Sequence, residues 1–150
     1  HYGNEFICVD LKTNKQLWKY VNRQQPFFSS PSLSSDRVVF GGRDKWLHCV
    51  KRSDGTRLWT FPTRRKIDGS PVICGDKVVF GSGDGRLYTV GLDDGRQIAQ
   101  YEIGRPILSS PAVAGGMVLV GSNDGVLYAF RTRPDSDQKA DDKAGNTGKR

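Results

Sequence analysis

The stretch Ser70-Pro-Val-Ile-Cys-Gly-Asp-Lys-Val-Val-Phe-Gly-Ser-Gly-Asp-Gly-Arg-Leu-Tyr-Thr-Val-Gly91 decides the fold, because the same unit stands on both sides of it. Forward, Ser70-Pro71 falls on Ser110-Pro111, Phe80-Gly81 on Val120-Gly121, Asp84-Gly85 on Asp124-Gly125 and Leu87-Tyr88 on Leu127-Tyr128. Backward, it falls on Ser30-Pro31, Phe40-Gly41, Asp44 and Leu47, and every one of these matches is 40 residues away. A fixed period of that size marks a repeat architecture. A partial copy opens the chain, where Phe6-Ile-Cys-Val-Asp10 and Trp18 align on Leu47-His-Cys-Val-Lys51 and Trp59 at an offset of 41.

Each copy divides into short strands by apolar and polar alternation and by turn residues between the runs. The opening piece gives strands at 5–10 and 16–21. The first full copy gives 31–34, 37–41, 46–51 and 57–61, and the second 71–74, 77–82, 86–91 and 96–102. The last gives 111–114, 116–121 and 126–131 and then stops. Gly75-Asp76 and Gly115-Gly116 read as tight turns, and Asp84-Gly85 and Asp124-Gly125 as two-residue hairpins with positive backbone angles. Pro31, Pro71 and Pro111 are expected at the first residue of a strand, where a missing N–H is tolerated. No stretch carries a helical period. Four short antiparallel strands per period of about 40 residues predict an all-β chain built as a β-propeller.

Composition sets outer bounds. Of the 150 residues, 36% are hydrophobic, enough for a core, and the longest apolar runs are far shorter than the ~18 residues of a membrane-spanning helix. There is no initiator Met and no secretory leader pattern, and the start in mid-repeat leads to the expectation that an N-terminal part is missing. The net charge is +7, and the richest basic run is Arg43, Lys45, Lys51, Arg52, Arg57, Arg64, Arg65 and Lys66 within one copy. With no aromatic platform or recognition motif beside them, these read as solvated edges and connections, not as a nucleic-acid surface. Residues 132–150 hold no Val, Ile, Leu, Phe, Tyr or Trp and are expected to form a disordered tail.

The residues that carry chemistry elsewhere are absorbed by the repeat. Cys8 and Cys49 share a slot with Thr89 and Ala129, and Cys74 shares one with Ser34 and Ala114, so all three are expected as free, mostly buried thiols in small-residue positions. His48 shares its slot with Ile7, Tyr88 and Tyr128 and reads as a packing or rim residue; no zinc spacing exists. Asp44, Asp54, Asp76, Asp84, Asp93, Asp94 and Asp124 all fall in turns, where Asp bonds its own backbone. Trp46 alternates with Arg86 and Val126 and is expected to face outward. Ser29-Ser30, Gly69-Ser70 and Ser109-Ser110 stand where the innermost strands begin and are read as solving a backbone problem there. No catalytic, cofactor-binding or metal-ligating residue is assigned.

The absence of a Trp-Asp blade closure and an upstream Gly-His excludes the WD40 pattern, and the kelch period is too long. Gly-Ser-x-Asp-Gly-x-Leu-Tyr, a small residue, a glycine turn and then Trp resembles the PQQ-like repeat of the quinoprotein alcohol dehydrogenase-like superfamily over about residues 2–131. That family's tryptophan-docking motif is matched by Cys8, Asp10, Asn14 and Trp18, then by Cys49, Lys51, Gly55 and Trp59; in the third copy Ala99 stands in the Trp place. The resemblance implies about three four-stranded blades plus a partial one, the C-terminal part of a seven- or eight-bladed ring whose remaining blades lie in a longer chain. Isolated, such a piece would expose sheet edges and is expected to be poorly stable. Enzymes of the family hold quinone and calcium on the ring axis between adjacent Cys residues, carboxylates and a stacking Trp. This chain has no adjacent Cys pair. The expectation is therefore a non-catalytic protein-interaction scaffold with unidentified protein partners, no cofactor, and a cell-envelope location such as that of the propeller lipoprotein of the outer-membrane β-barrel assembly machinery. A fragment of a quinone- and calcium-dependent alcohol dehydrogenase and the sensor propeller of a larger signalling protein, such as one fused to a kinase, are the alternatives.

Overall fold

The computed structural model describes residues 4–22 and 25–131; the tail expected at 132–150 lies outside the described residues. Thirteen strands follow one another among them: β1 (Glu5–Asp10), β2 (Lys15–Val21), β3 (Ser32–Leu33), β4 (Arg37–Gly41), β5 (Trp46–Lys51), β6 (Arg57–Pro62), β7 (Val72–Cys74), β8 (Lys77–Gly81), β9 (Arg86–Gly91), β10 (Gln97–Glu102), β11 (Ala112–Ala114), β12 (Met117–Gly121) and β13 (Leu127–Arg131). They form four antiparallel meanders: blade I from β1 and β2, blade II from β3 to β6, blade III from β7 to β10, and blade IV from β11 to β13. The innermost strands β3, β7 and β11 touch in series, so the blades fan out from a common axis as in a β-propeller.

Alternation along the strands explains why the second strands of blades II and III, β4 and β8, read as unbroken apolar runs. Neighbouring side chains point to opposite faces of a sheet, and here both faces are covered. Val38 and Phe40 pack toward blade I with Phe6, Trp18 and Tyr20, while Val39 packs toward blade III with Val78 and Phe80. Val79, Leu87, Ile107 and Val120 fill the junction between blades III and IV. Phe40 and Phe80 are wholly buried, each contributing about 2–3 kcal/mol of apolar transfer. The core therefore lies between blades, and each blade depends on its neighbours.

The tryptophans are the clearest inter-blade links. Trp18 of blade I donates its indole N–H to the Arg52 carbonyl of blade II at 2.9 Å, and Trp59 of blade II donates to the Leu92 carbonyl of blade III at 2.9 Å. Each ring lies on a left-handed glycine: a Cβ on Gly55 would come within 2.6 Å of Trp18, and one on Gly95 within 2.6 Å of Trp59. Cys8 and Cys49 stand directly across the ladder from Trp18 and Trp59, which is why that slot is small. At the third junction Ala99 faces Thr89 in this register, and an apolar groove of about 310 Å³ lined by Val79, Leu87, Val118 and Phe130 takes the place of an indole.

Three local expectations are corrected. The Asp-Gly turns are not two-residue hairpins: Gly85 donates to Ser82 and Ser82 to Arg86, a type I turn closed by a left-handed residue, so only Gly85 and Gly125 carry positive φ. The prolines stand one residue before β7 and β11 and before β3, since those strands begin at Val72, Ala112 and Ser32. Of the cysteines only Cys49 is buried; Cys8 is half-buried and Cys74, the last residue of a short inner strand beside the Gly75 turn, is exposed. All three are free.

Candidate functional site

The hairpin loops 42–45, 82–85 and 122–125 and the connections between blades emerge at one end of the fan, where the serine pairs, Asp44, Asp84 and Asp124 and part of the basic run lie. At the axis, the serines bond backbone twice over. Ser29 Oγ accepts from Gly41 N–H at 2.7 Å and donates to the Gly41 carbonyl at 3.0 Å, and Ser109 repeats this on Gly121 at 3.1 and 2.7 Å. The second serines join blades: Ser70 Oγ accepts Ser30 N–H at 2.9 Å, and Ser110 Oγ accepts Ser70 N–H at 2.8 Å. Gly69 replaces the first serine in blade III because a Cβ there would lie 2.3 Å from the Ser109 carbonyl oxygen. Strand entry thus accounts for these residues without a ligand.

The turn aspartates behave alike. Asp44, Asp84 and Asp124 accept the N–H two residues on through Oδ1, at 3.2, 3.1 and 3.0 Å. Asp54 and Asp94 do the same in the turns at the opposite end, at 2.8 and 3.0 Å. Hydrogen bonds from the Thr56 side chain and N–H, with Lys51 nearby, hold the Asp54 carboxyl down at about 2. Asp76 pairs with Lys77, and Asp93 reaches across to Arg37 of blade II at 2.7 Å. Trp46 is exposed beside its loop.

A buried relay escaped the sequence reading. Tyr88 and Tyr128 donate from their hydroxyls to Asp84 Oδ2 and Asp124 Oδ2 at 2.9 and 2.8 Å. His48, in the same slot, sets Nε2 3.0 Å from Asp44 Oδ2 and Nδ1 3.0 Å from the Tyr20 hydroxyl of blade I. Asn22 adds a donor to the same carboxylate. The signal was present as an Asp followed four residues later by Tyr, His or Tyr in three copies. His48 is 4% exposed and enclosed by Phe27, Phe40 and Tyr20, so the relay clamps blade I to blade II inside the core.

The basic run does not form one patch. Lys51, Arg52 and Arg57 lie at the far end of blade II, while Arg43, Lys45, Arg64, Arg65 and Lys66 lie at the loop end. Arg43 forks onto Asp68 at 2.9 and 3.2 Å and stacks over Phe28 at 3.9 Å. Burial opposes the charge on Asp68, yet Arg43 and Lys66 outweigh it and hold the carboxyl below its usual range. Arg64 and Arg65 instead border a polar cleft of about 450 Å³ between the II–III connection, the blade III hairpin and the III–IV connection, with Arg86 and Arg105 on its other sides. Among the described residues no three His, Cys, Asp or Glu side chains assemble as a metal cluster, and no helix is long and apolar enough to cross a membrane.

Four-stranded blades docked by tryptophan over left-handed glycine define a PQQ-like β-propeller. The family described as "Outer membrane protein assembly factor BamB" matches residues 1–146, and the chain belongs to it. Its solved structural neighbours share the fold. The crystal structure of BamB from Moraxella catarrhalis superposes with a TM-score of 0.67 at 22% identity, covering 78% of this chain and 37% of that one, so this chain spans little over a third of its length. The computationally designed Ika4 protein superposes with a TM-score of 0.76 at 16% identity, covering 85% of this chain and 79% of its own. No curated protein matches the sequence.

Proposed function

We propose that this propeller region is a non-catalytic scaffold that holds a protein partner in the bacterial cell envelope. The observation that carries the reading is a row on the outer rim. Leu17, Leu58 and Ile98 occupy one slot in the outermost strands of blades I, II and III and are 61%, 41% and 52% exposed. Leu17 stands on the first described blade, whose outer face meets no neighbour among the described residues, but Leu58 and Ile98 repeat a half-exposed apolar side chain in successive blades, and a recurring apolar slot on the rim supports contact with another protein. The carboxylates and serines reviewed above are already committed to backbone and inter-blade bonds, which favours a scaffold over a catalyst. The envelope assignment rests on the family's outer-membrane assembly factor.

A photo-crosslinking residue at Leu58 or Ile98, introduced into the protein in its native cells, tests the partner directly. One discrete adduct with an envelope protein is expected, and its absence at both positions refutes the scaffold reading. Titration with pyrroloquinoline quinone and calcium tests the non-catalytic part: saturable, calcium-dependent binding with a raised melting temperature would overturn it.

A further inference from the structure

The cleft of about 450 Å³ at the loop end concentrates positive charge that the fold does not neutralise. Of its four arginines, Arg86 alone meets a carboxylate, Glu102 at 2.7 Å. The wall's other acid, Asp84, is already engaged: Oδ2 accepts Arg64 N–H at 3.0 Å and the Tyr88 hydroxyl at 2.9 Å, and Oδ1 accepts Arg86 N–H at 3.1 Å. The guanidinium groups of Arg64, Arg65 and Arg105 are exposed and form no ion pair among the described residues. Elsewhere Arg37, Arg43 and Arg96 each meet an aspartate. One further donor is orphaned, since Arg86 Nε is buried with no hydrogen-bond partner.

The walls are held in place before anything binds. Gly83 N–H bonds the Lys66 carbonyl at 2.9 Å, Ser82 Oγ bonds the Arg65 carbonyl at 3.2 Å, and Ile103 N–H bonds the Gly85 carbonyl at 2.9 Å. These bonds tie the hairpin to both connections, so the backbone of the cleft is in place before binding and only the arginine side chains remain to be ordered.

We propose that this cleft binds the carboxylates of an acidic segment in a partner protein, a reading that rests on the scaffold function above and names the chemistry of one contact. Guanidinium forks pair with planar carboxylates through two parallel bonds. The same face already shows that fork in Arg43 with Asp68, and a single guanidinium–carboxylate bond in Arg86 with Glu102. No aromatic side chain lines the cleft to stack a base, and Asp84 and Glu102 in its walls oppose a continuous phosphate backbone. A peptide, whose acids alternate with neutral residues, fits a wall of mixed sign.

A fluorescein-labelled oligoglutamate peptide, followed by anisotropy with the purified chain in low salt, tests the assignment. Saturable binding is expected, with an oligoglutamine control showing none. The double substitution Arg65→Gln with Arg105→Gln weakens binding about tenfold or more, while Lys12→Gln with Arg96→Gln, which removes the same charge elsewhere, stays within about twofold. Equal loss in the two double variants would reduce the effect to net charge and overturn the site, as would no saturable binding. Tighter competition by single-stranded DNA at the same arginines would replace the acidic peptide with a phosphate polymer. If the peptide fails while crosslinks at Leu58 or Ile98 persist, the cleft assignment falls and the scaffold reading stands; loss of the crosslinks alone does the reverse.

Discussion

Gly95→Ala tests whether glycine is in the docking motif to seat the tryptophan of the preceding blade. Two separate costs are written into the position. Gly95 has φ 68, and an L-residue there costs about 1–2 kcal/mol. The new Cβ would also lie 2.6 Å from Trp59 Cε3, inside any real contact, and relieving that overlap between two packed blades costs about 1–3 kcal/mol more. The sum is about 2–5 kcal/mol. Gly75 separates the two parts: it has φ 60, but a Cβ there would meet nothing within 4 Å, so Gly75→Ala is expected to cost only the backbone share of about 1–2 kcal/mol. The assay is urea unfolding at constant temperature with linear extrapolation, applied to a double-mutant cycle. With Trp59→Ala in place the overlap is gone, and Gly95→Ala is expected to fall to the Gly75 value. If Gly95→Ala costs the same with and without Trp59, to within about 0.5 kcal/mol, the contact has no energetic role and the docking argument is wrong.

Two further outcomes follow from the same geometry. Lys45 holds φ 77 in the slot where Gly85 and Gly125 hold 84 and 83, so Lys45→Gly is expected to stabilise the chain by about 1 kcal/mol and raise its melting temperature by about 4 °C; an unchanged or lowered midpoint in a thermal melt would show that the loop is not strained. Burial pushes the Cys49 thiol up to about 12, whereas Cys74 is exposed, so a disulfide reagent at pH near 8 is expected to label Cys74 at once, Cys8 more slowly and Cys49 only on unfolding. Mass-resolved labelling of all three at one fast rate would contradict that order.

The features that were legible in the sequence are those a single residue type imposes locally and the repeat copies. Alternating apolar residues, Gly in left-handed turns and Trp at the end of the motif each report their own backbone, and four of the observed strands (β1, β4, β5 and β9) have the bounds read from the pattern. Where a turn depends on how its residues divide the work, the sequence is ambiguous: Asp-Gly is compatible with a two-residue hairpin and with a type I turn, and only the Ser82 bonds to Gly85 and Arg86 choose between them. The candidate site was less legible because it is assembled between blades. The II–III and III–IV connections that hold Arg65 and Arg105 are one period apart, and they border one cleft because β7 and β11 lie side by side at the axis. His48 shows the same limit. Its slot is shared with Tyr88 and Tyr128, so the repeat assigns it to packing, but the second ring nitrogen finds Tyr20 in another blade, a contact that no spacing along the chain encodes. Repeat arithmetic averages over copies. The Trp pattern shows what that leaves out: Trp18 and Trp59 close two junctions, whereas Ala99 stands beside a groove of about 310 Å³ at the third, so successive interfaces of one repeat differ in packing. What distinguishes this chain from a regular propeller is therefore carried by the positions where one copy departs from the others, Lys45, His48 and Ala99 among them.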